Sequence, residues 1–319
     1  MKNYILIAGV VTLISAIVPL LHAASPEFTS IRQLTNREVA FTLAAPAGSA
    51  RRVEVSTNVS DWSSLVTFSS TGTTLQHTDS AAPFLPERAY RAYAFSGTNV
   101  LDGDHLATTN GDVVIRPVNH ASFVMQWEGK WIFNDPAVSA ASTFPDADLV
   151  LISHSHGDHL NLTVLAGVTK TNSIIVIPPS LHSGMGGFQN RTVILPNGAT
   201  TNVLGIGIEA VPAYNANHSP GTGNGYVLNI GGKRIYISGD TGDQPEIRAL
   251  ENIDVAFLCM NVPFTMTPQQ ATNSVRAFRP GVVYPYHYRN QNGTTTNAAY
   301  FKQILGTDSG IEVRLRNWY

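Results

Sequence analysis

The sequence predicts an α/β protein of two packed sheets flanked by helices, preceded by a small all-β region. Three observations predict it. From residue 111 onward, short apolar runs with the period of strands are separated by segments carrying helix-start signals, a pattern that packs as paired sheets covered by helices. Between about 26 and 96 only short alternating runs and turn clusters occur, as in a small sandwich. A hydrophobic fraction of 43% over 319 residues supports a full core, as one large domain or two ordinary ones. The formal net charge of −2 gives no electrostatic case for nucleic acid or for an acidic membrane surface.

The first residues have their own signature. Lys2 precedes an apolar run from Ile5 to Leu21, closed by His22-Ala23-Ala24-Ser25. A charged start, an apolar centre and small residues at the end make 1–24 a secretory signal peptide, and the protein is expected to be exported, periplasmic or extracellular. The competing reading is an uncleaved membrane anchor, since about 17 apolar residues is the lower limit for spanning. No basic stop-transfer cluster follows, which favours cleavage and no stable membrane insertion. Cys259 is the only cysteine, so no intrachain disulfide can form, and its apolar run 255–259 makes it a buried structural thiol.

Residues 26–96 form the all-β module, with strands expected at 38–43, 52–56, 64–68, 73–77 and 88–95. Ala45-Pro46-Ala47-Gly48, Asn58-Val59-Ser60-Asp61 and Ser70-Thr71-Gly72 separate them as turns. The stretches Val53-Glu54-Val55-Ser56-Thr57-Asn58 and Arg88-Ala89-Tyr90-Arg91-Ala92-Tyr93 resemble fibronectin-type-III-like modules, which implies a spacer or adhesion element rather than a catalytic one. Residues 97–110, with Gly97 and Gly103, read as the connector. The second domain then occupies 111–319, with strands at 112–117, 122–127, 130–133, 147–152, 173–177, 192–195, 206–211, 225–230, 234–238, 255–259, 281–284 and 311–315. A tight Glu128-Gly129 turn joins the second and third of these. Helices are signalled at 161–166, 245–250, 267–278 and 297–305; in the third, Thr267 is the N-cap, Pro268 follows it and Gln270 occupies the capping-box position.

The chemistry concentrates in Ser153-His154-Ser155-His156-Gly157-Asp158-His159-Leu160, directly after the apolar run 147–152. A strand that is just ending sends alternate residues, His154 and His156, to one face. The following turn can swing Asp158 and His159 into the same hollow, and imidazole with carboxylate suits a divalent ion such as Zn²⁺. A polar loop rich in histidine is the bland alternative, disfavoured by the buried strand that leads into it. His218, Asp240 and His287 each follow an apolar strand too. Singly, a strand-end Asp is often a helix cap and a lone His often a core residue; together with the cluster they form a constellation.

These residues carry a resemblance to the metallo-β-lactamase superfamily: His154-Ser155-His156-Gly157-Asp158-His159, then His218, Ser238-Gly239-Asp240-Thr241 and Pro285-Tyr286-His287-Tyr288. Residues 111–319 are similar to its ascorbate-6-phosphate lactonase-like branch through Val118-Asn119-His120-Ala121-Ser122-Phe123, Asn134-Asp135-Pro136 and Phe264-Thr265-Met266-Thr267-Pro268. The resemblance implies a four-layer αββα sandwich and a two-metal site, most readily of zinc, with manganese or iron as alternatives. One metal would take His154, His156 and His218; the other Asp158, His159 and His287; Asp240 would bridge them. Two cations roughly 3.5–4 Å apart can hold a bridging water and lower its pKa towards about 7, with Asp158 helping to protonate the leaving group.

Other residues are weighed more evenly. His120 could orient a ligand or substrate, or be a buried structural histidine; Asn119 stands before it where relatives often carry glycine. Asp135 is expected to fix a turn or an imidazole. Tyr214 and Tyr288 could line the pocket but more often such tyrosines pack, and His182 belongs to a glycine-rich loop. The leading function is an exported metal-dependent hydrolase of a small ester, lactone or phosphoester. The rivals are a phosphodiesterase or phospholipase-D-like activity on the same fold, a di-iron redox protein (for which the chain has no flavodoxin-like region), and a non-catalytic metal-stabilised binding protein.

Overall fold

The computed structural model describes residues 4–8, 10–14, 28–44, 47–48, 50–69, 72, 74–95, 100–290 and 292–319. Within the expected leader, Tyr4–Ala8 and Val10–Ile14 run as antiparallel strands, the first also paired with Arg88–Phe95. The rest of the leader, with its expected cleavage region, lies outside the described residues. The chain divides into two compact units, one of 1–107 with 112–116 and one of 108–111 with 117–319.

The first unit is all β. Phe28–Gln33, Val39–Ala44 and Thr74–Asp79 make a three-stranded antiparallel sheet. Ala50–Ser56 pairs with Ser63–Ser69 on one side and Arg88–Phe95 on the other. Alternate residues of both groups, Val39, Phe41 and Leu43 against Val53, Val55 and Tyr90, meet in one buried core. The expected connector 97–110 is corrected in part: Gly103–Thr108 is a strand paired with Ser63–Ser69. The glycine that reads as a linker marks a close backbone approach instead, because a Cβ on Gly103 would overlap the carbonyl of Ile115. His105 is buried there, bonded to Thr67 Oγ1 at 2.7 Å and Asp112 Oδ2 at 2.8 Å.

The second unit holds two mixed sheets. Strands β1 (Ser122–Trp127), β2 (Lys130–Asn134), β3 (Ala147–Leu151), β4 (Thr169–Ile177) and β5 (Thr192–Ile194) lie in sequential order, the first pair antiparallel and the rest parallel. The β1–β2 turn places Glu128 at φ 48° and Gly129 at φ 74°, the double left-handed conformation that matches strand twist. The other sheet runs β6 (Thr200–Val203), β7 (Ile206–Ala213), β8 (Gly223–Ile230), β9 (Lys233–Ile237), β10 (Val255–Cys259), β11 (Val282–Tyr286) and β12 (Glu312–Val313), antiparallel to β9 and parallel beyond it. β6 was not expected: Thr200-Thr201-Asn202 is polar because it forms an edge.

The sheets meet face to face. Phe123 of β1 stacks on Phe257 of β10 at 4.2 Å, and Tyr226 of β8 donates to the carbonyl of Ile152 at 2.8 Å. Helix α1 (Leu162–Val168), capped by Asn161, buries Leu165 and Val168. After the short α2 (Pro245–Arg248), α3 (Pro268–Phe278) carries the expected capping box of Thr267 with Gln270 and turns Val275 and Phe278 inward, Phe278 reaching Tyr236 of β9. α4 (Ala298–Leu305) buries Phe301 and Leu305. The result is helices outside two central sheets, the αββα sandwich.

Candidate metal centre

Four strand ends deliver the site. β3 runs on through buried Ile152 and Ser153, and the chain then folds so that the N–H groups of His159 and Leu160 both bond to the His156 carbonyl, at 2.9 and 2.8 Å. That turn brings His154, His156, Asp158 and His159 round one point. Beyond β7, Asn215 shapes the loop: its Oδ1 accepts from the N–H of Asn217 and of His218, and its Nδ2 donates to the Asp240 carbonyl at 3.0 Å. Beyond β9, Gly239 at φ 57° turns the backbone so that Asp240 faces inward. His287, at φ 46°, follows β11 directly. All lie at carboxyl ends of strands, where open α/β sheets place their ligands.

The seven side chains expected from the sequence converge. Asp240 Oδ1 lies 3.1 Å from His287 Nε2 and 3.5 Å from His159 Nε2, and those two nitrogens are 3.1 Å apart. Asp158 Oδ2 is 3.8 Å from His159 Nε2 and 3.7 Å from His287 Nε2. Ligands at about 2.0–2.1 Å from a tetrahedral ion are separated by roughly 3.3–3.4 Å, so the Asp240, His159 and His287 atoms are spaced as ligands of one ion, with Asp158 Oδ2 slightly farther out. His154, His156 and His218 form a second group whose ligand atoms lie within 4.8 Å of one another, with His218 Nε2 3.2 Å from His156 Nδ1. Asp240 also groups with His154 and His159, which puts it between the two clusters. Buried His154 Nε2 has no hydrogen-bond partner, and Asp240 Oδ1 has only the imidazole nitrogens of His287 and His159 around it. Leaving such atoms bare costs free energy that a cation would relieve, so the donor set fits a metal.

The neighbours decide which nitrogen faces inward. Asp135 takes His159 Nδ1 at 2.8 Å, and also accepts the Ser153 N–H at 2.7 Å and the Ser153 hydroxyl at 2.8 Å. With its proton on Asp135, Ser153 Oγ accepts from His154 Nδ1 at 3.0 Å, which leaves His154 Nε2 as a free lone pair. His120 Nε2 stands 3.0 Å from Asp158 Oδ2, its ring packed edgewise on His287 at 4.1 Å. His120 and Asp135 therefore touch ligands.

The charges follow. Burial alone would raise the Asp240 carboxyl, but His287 and His159 hold it well below the usual carboxylate range. Asp158 is likewise held low against burial by His120 and His159. Burial opposes the charged form of His159, yet Asp240 and Asp135 outweigh it and push that imidazole up to about 9. Burial drives His154 well below the ordinary histidine value, and lowers His218 and His120 as well.

Ser153, Asn215 and Tyr319 are the participants the sequence reading missed. Asn215 had a local signal, an Asx turn in Asn215-Ala216-Asn217; Ser153 and Tyr319 act through residues that only the fold brings near. Tyr214 donates to Glu246 at 2.9 Å and Tyr288 to the Arg316 carbonyl at 3.4 Å, so both hydroxyls serve packing. His182 bonds Thr192 at 3.3 Å and joins no metal-holding group among the described residues.

Comparison with known proteins places this geometry. The beta-lactamase superfamily domain matches residues 114–287. A UPF0173 metal-dependent hydrolase of Pelotomaculum thermopropionicum is 30% identical over 219 residues, covering 62% of this chain and 94% of the relative. Among solved structures, a protein of Parabacteroides distasonis described as a metal-dependent hydrolase superposes with a TM-score of 0.62 at 38% identity, over 68% of this chain and 99% of its own. The metallo hydrolase Igni18 of Ignicoccus hospitalis, at 22% identity and a TM-score of 0.57, covers 64% of this chain and 95% of its own and shares the fold.

Proposed function

The chain belongs to the metallo-β-lactamase superfamily and is a metal-dependent hydrolase; from that premise we propose that it works outside the cytoplasm on a small ester, lactone or phosphoester with two divalent cations. Zinc is the ion the mixed imidazole and carboxylate set favours, with manganese and iron as the alternatives. His154, His156 and His218 would hold one ion and Asp158, His159 and His287 the other, with Asp240 between them. When bound, the pair supplies Lewis acidity to a carbonyl or phosphoryl oxygen and a water acidic enough to attack near neutral pH.

The observation that carries this reading is the partnerless buried His154 Nε2, its ring oriented by Ser153, beside an Asp240 Oδ1 that has only the imidazoles of His287 and of Asp135-oriented His159 around it. A purely structural site would be closed by its ligands; here the Asp158 side chain is 42% exposed, against 0% for Asp135 and 6% for Asp240. It alone of the three can exchange a proton with a substrate leaving group while its Oδ2 stays on His120. No side-chain nucleophile is needed. Ser238 Oγ donates to the Gly239 carbonyl, and burial with the nearby Asp240 pushes the Cys259 thiol up to about 12. Export rests on Lys2, the apolar run from Ile5 to Leu21 and the small residues after it.

Metal analysis beside a panel of p-nitrophenyl esters, lactones and bis-p-nitrophenyl phosphate tests the proposal. About two ions per chain are expected, with turnover of at least one class, and Asp240→Ala should reduce both. Wild-type turnover by metal-stripped protein, or by Asp240→Ala, would overturn it. Export is tested separately by fractionating cells that express the full chain and sequencing the mature N-terminus.

A further inference from the structure

We infer that Tyr319 is a positioning residue of the metal centre: its hydroxyl sets the tautomer of His120, and His120 in turn fixes the carboxylate of Asp158. The inference rests on the metal-centre reading for its consequence, though not for its geometry. Tyr319 Oη accepts the backbone N–H of Tyr288 at 3.0 Å and of Arg289 at 2.9 Å, and lies 3.1 Å from His120 Nδ1. A phenol oxygen has its own proton to give and lone pairs for about two acceptor bonds. The two N–H groups use the acceptor capacity, so the hydroxyl meets His120 with its proton. Nδ1 must then be the bare nitrogen, and the ring's one proton sits on Nε2, 3.0 Å from Asp158 Oδ2. The other tautomer would set an N–H against an oxygen already filled and a lone pair against a carboxylate, losing both bonds.

The fold holds this relay in place. Trp318 is buried beside Phe123, at 6.1 Å, and Tyr286, at 5.7 Å, which pins the residue before Tyr319 into the core between the sheets. The Tyr319 ring lies under the Arg289 guanidinium at 4.2 Å and edgewise to Tyr288 at 5.1 Å. His120 is held at φ 56°, and its carbonyl accepts the His287 N–H at 3.3 Å. The hydroxyl therefore binds the two residues that follow the ligand His287 and, through His120, the ligand Asp158, which no sequence neighbour of either could do. Asp158 has the greatest need of it, being the most exposed carboxylate of the centre and the least fixed by packing.

The test is read first in metal-free protein, where neither turnover nor ion number enters. In ¹⁵N-labelled wild type at pH 8, long-range imidazole correlations should show His120 carrying its proton on Nε2; a proton on Nδ1 overturns the inference, whether or not the chain proves to be a hydrolase. Tyr319→Phe keeps the ring and Trp318, and should shift His120 towards a mixture of tautomers. Titrated with zinc alone, it should bind the weaker equivalent about 10–100-fold less tightly, the usual effect of removing a group that orients a ligand. His120→Gln places an amide N–H near the Nε2 position without needing the phenol, so on that background Tyr319→Phe should change zinc affinity little. An unchanged tautomer in Tyr319→Phe, or the same loss of affinity on the His120→Gln background, shows a merely structural tyrosine. Should Tyr319→Phe fail to fold, the wild-type tautomer still decides: a proton on Nε2 supports the relay and a proton on Nδ1 overturns it.

Discussion

His159 uses both ring nitrogens, Nδ1 on Asp135 at 2.8 Å and Nε2 facing Asp240 at 3.5 Å, and so couples metal binding to protons. Its imidazole is raised to about 9, above the unfolded value of about 6.5. In the metal-free protein its charge therefore adds stability that is complete below about 6.5 and is lost as pH rises through about 9. Zinc must displace that proton. Between those limits zinc affinity should rise by up to tenfold per pH unit, with up to one proton released per ion, and level off above about 9; calorimetry in buffers of different ionisation enthalpy reads the release. Affinity that is flat across the window would remove His159 from the ligand set. Asp135→Ala takes away one of the causes of the raised value and the group that aims the ring, so it should weaken zinc about 10–100-fold and shrink the proton release at pH 7.5. The seven ligand candidates were legible because each sits in a motif or at a strand end. Ser153 and Tyr319 were not, since a hydroxyl's role depends on what faces it: Ser153 meets Asp135, 18 residues away, and Tyr319 meets His120, 199 away.

Strand ends do the placing at the next scale, and the turns that leave them are where the elements are most sensitive. Gly239 bends the chain from β9 to Asp240 at φ 57°, and a Cβ there would come within 2.7 Å of the Asn224 carbonyl and 3.2 Å of Ser153 Cβ. Alanine at a left-handed position costs roughly 1–2 kcal/mol before any clash. Gly239→Ala should thus lower thermal stability and, by shifting Asp240 and pressing on Ser153, reduce bound metal below the wild-type content. A variant with full metal content would show that the turn tolerates a side chain and that Asp240 is placed by other contacts. Element boundaries in the second unit were readable where apolar runs ended in Gly, Pro or a cap, as in Lys233–Ile237 before Gly239 and in the Thr267 box before α3. They were not readable where pairing rather than burial makes the strand. Thr200–Val203 is a polar edge, and Gly103–Thr108 carries Asp104 and His105 inward on hydrogen bonds that a hydrophobic pattern cannot register.

At the scale of the molecule, the expected division into an all-β part and an αββα part can be tested by separating them. His120, Asp135, the cluster from His154 to His159, His218, Asp240, His287 and Tyr319 all belong to the second unit, as do Ser153 and Asn215, which orient them. Two buried charged groups of the first unit have partners within it, Asp79 with Arg88 and Tyr90, and His105 with Asp112. Each unit has buried side chains of its own, a condition for folding alone. One strand complicates a clean cut, because Gly111–Asn119 contributes 112–116 to the first unit and 117–119 to the second. A fragment beginning at Thr108 keeps that strand whole and should fold cooperatively, bind zinc with the stoichiometry and affinity of the full chain, and retain turnover of whichever ester, lactone or phosphoester the intact protein cleaves. Unchanged zinc binding with a KM raised tenfold or more would assign the first unit a part in holding substrate. Loss of zinc binding in a folded fragment would show that the metal centre needs the all-β unit, although all seven ligand candidates lie outside it.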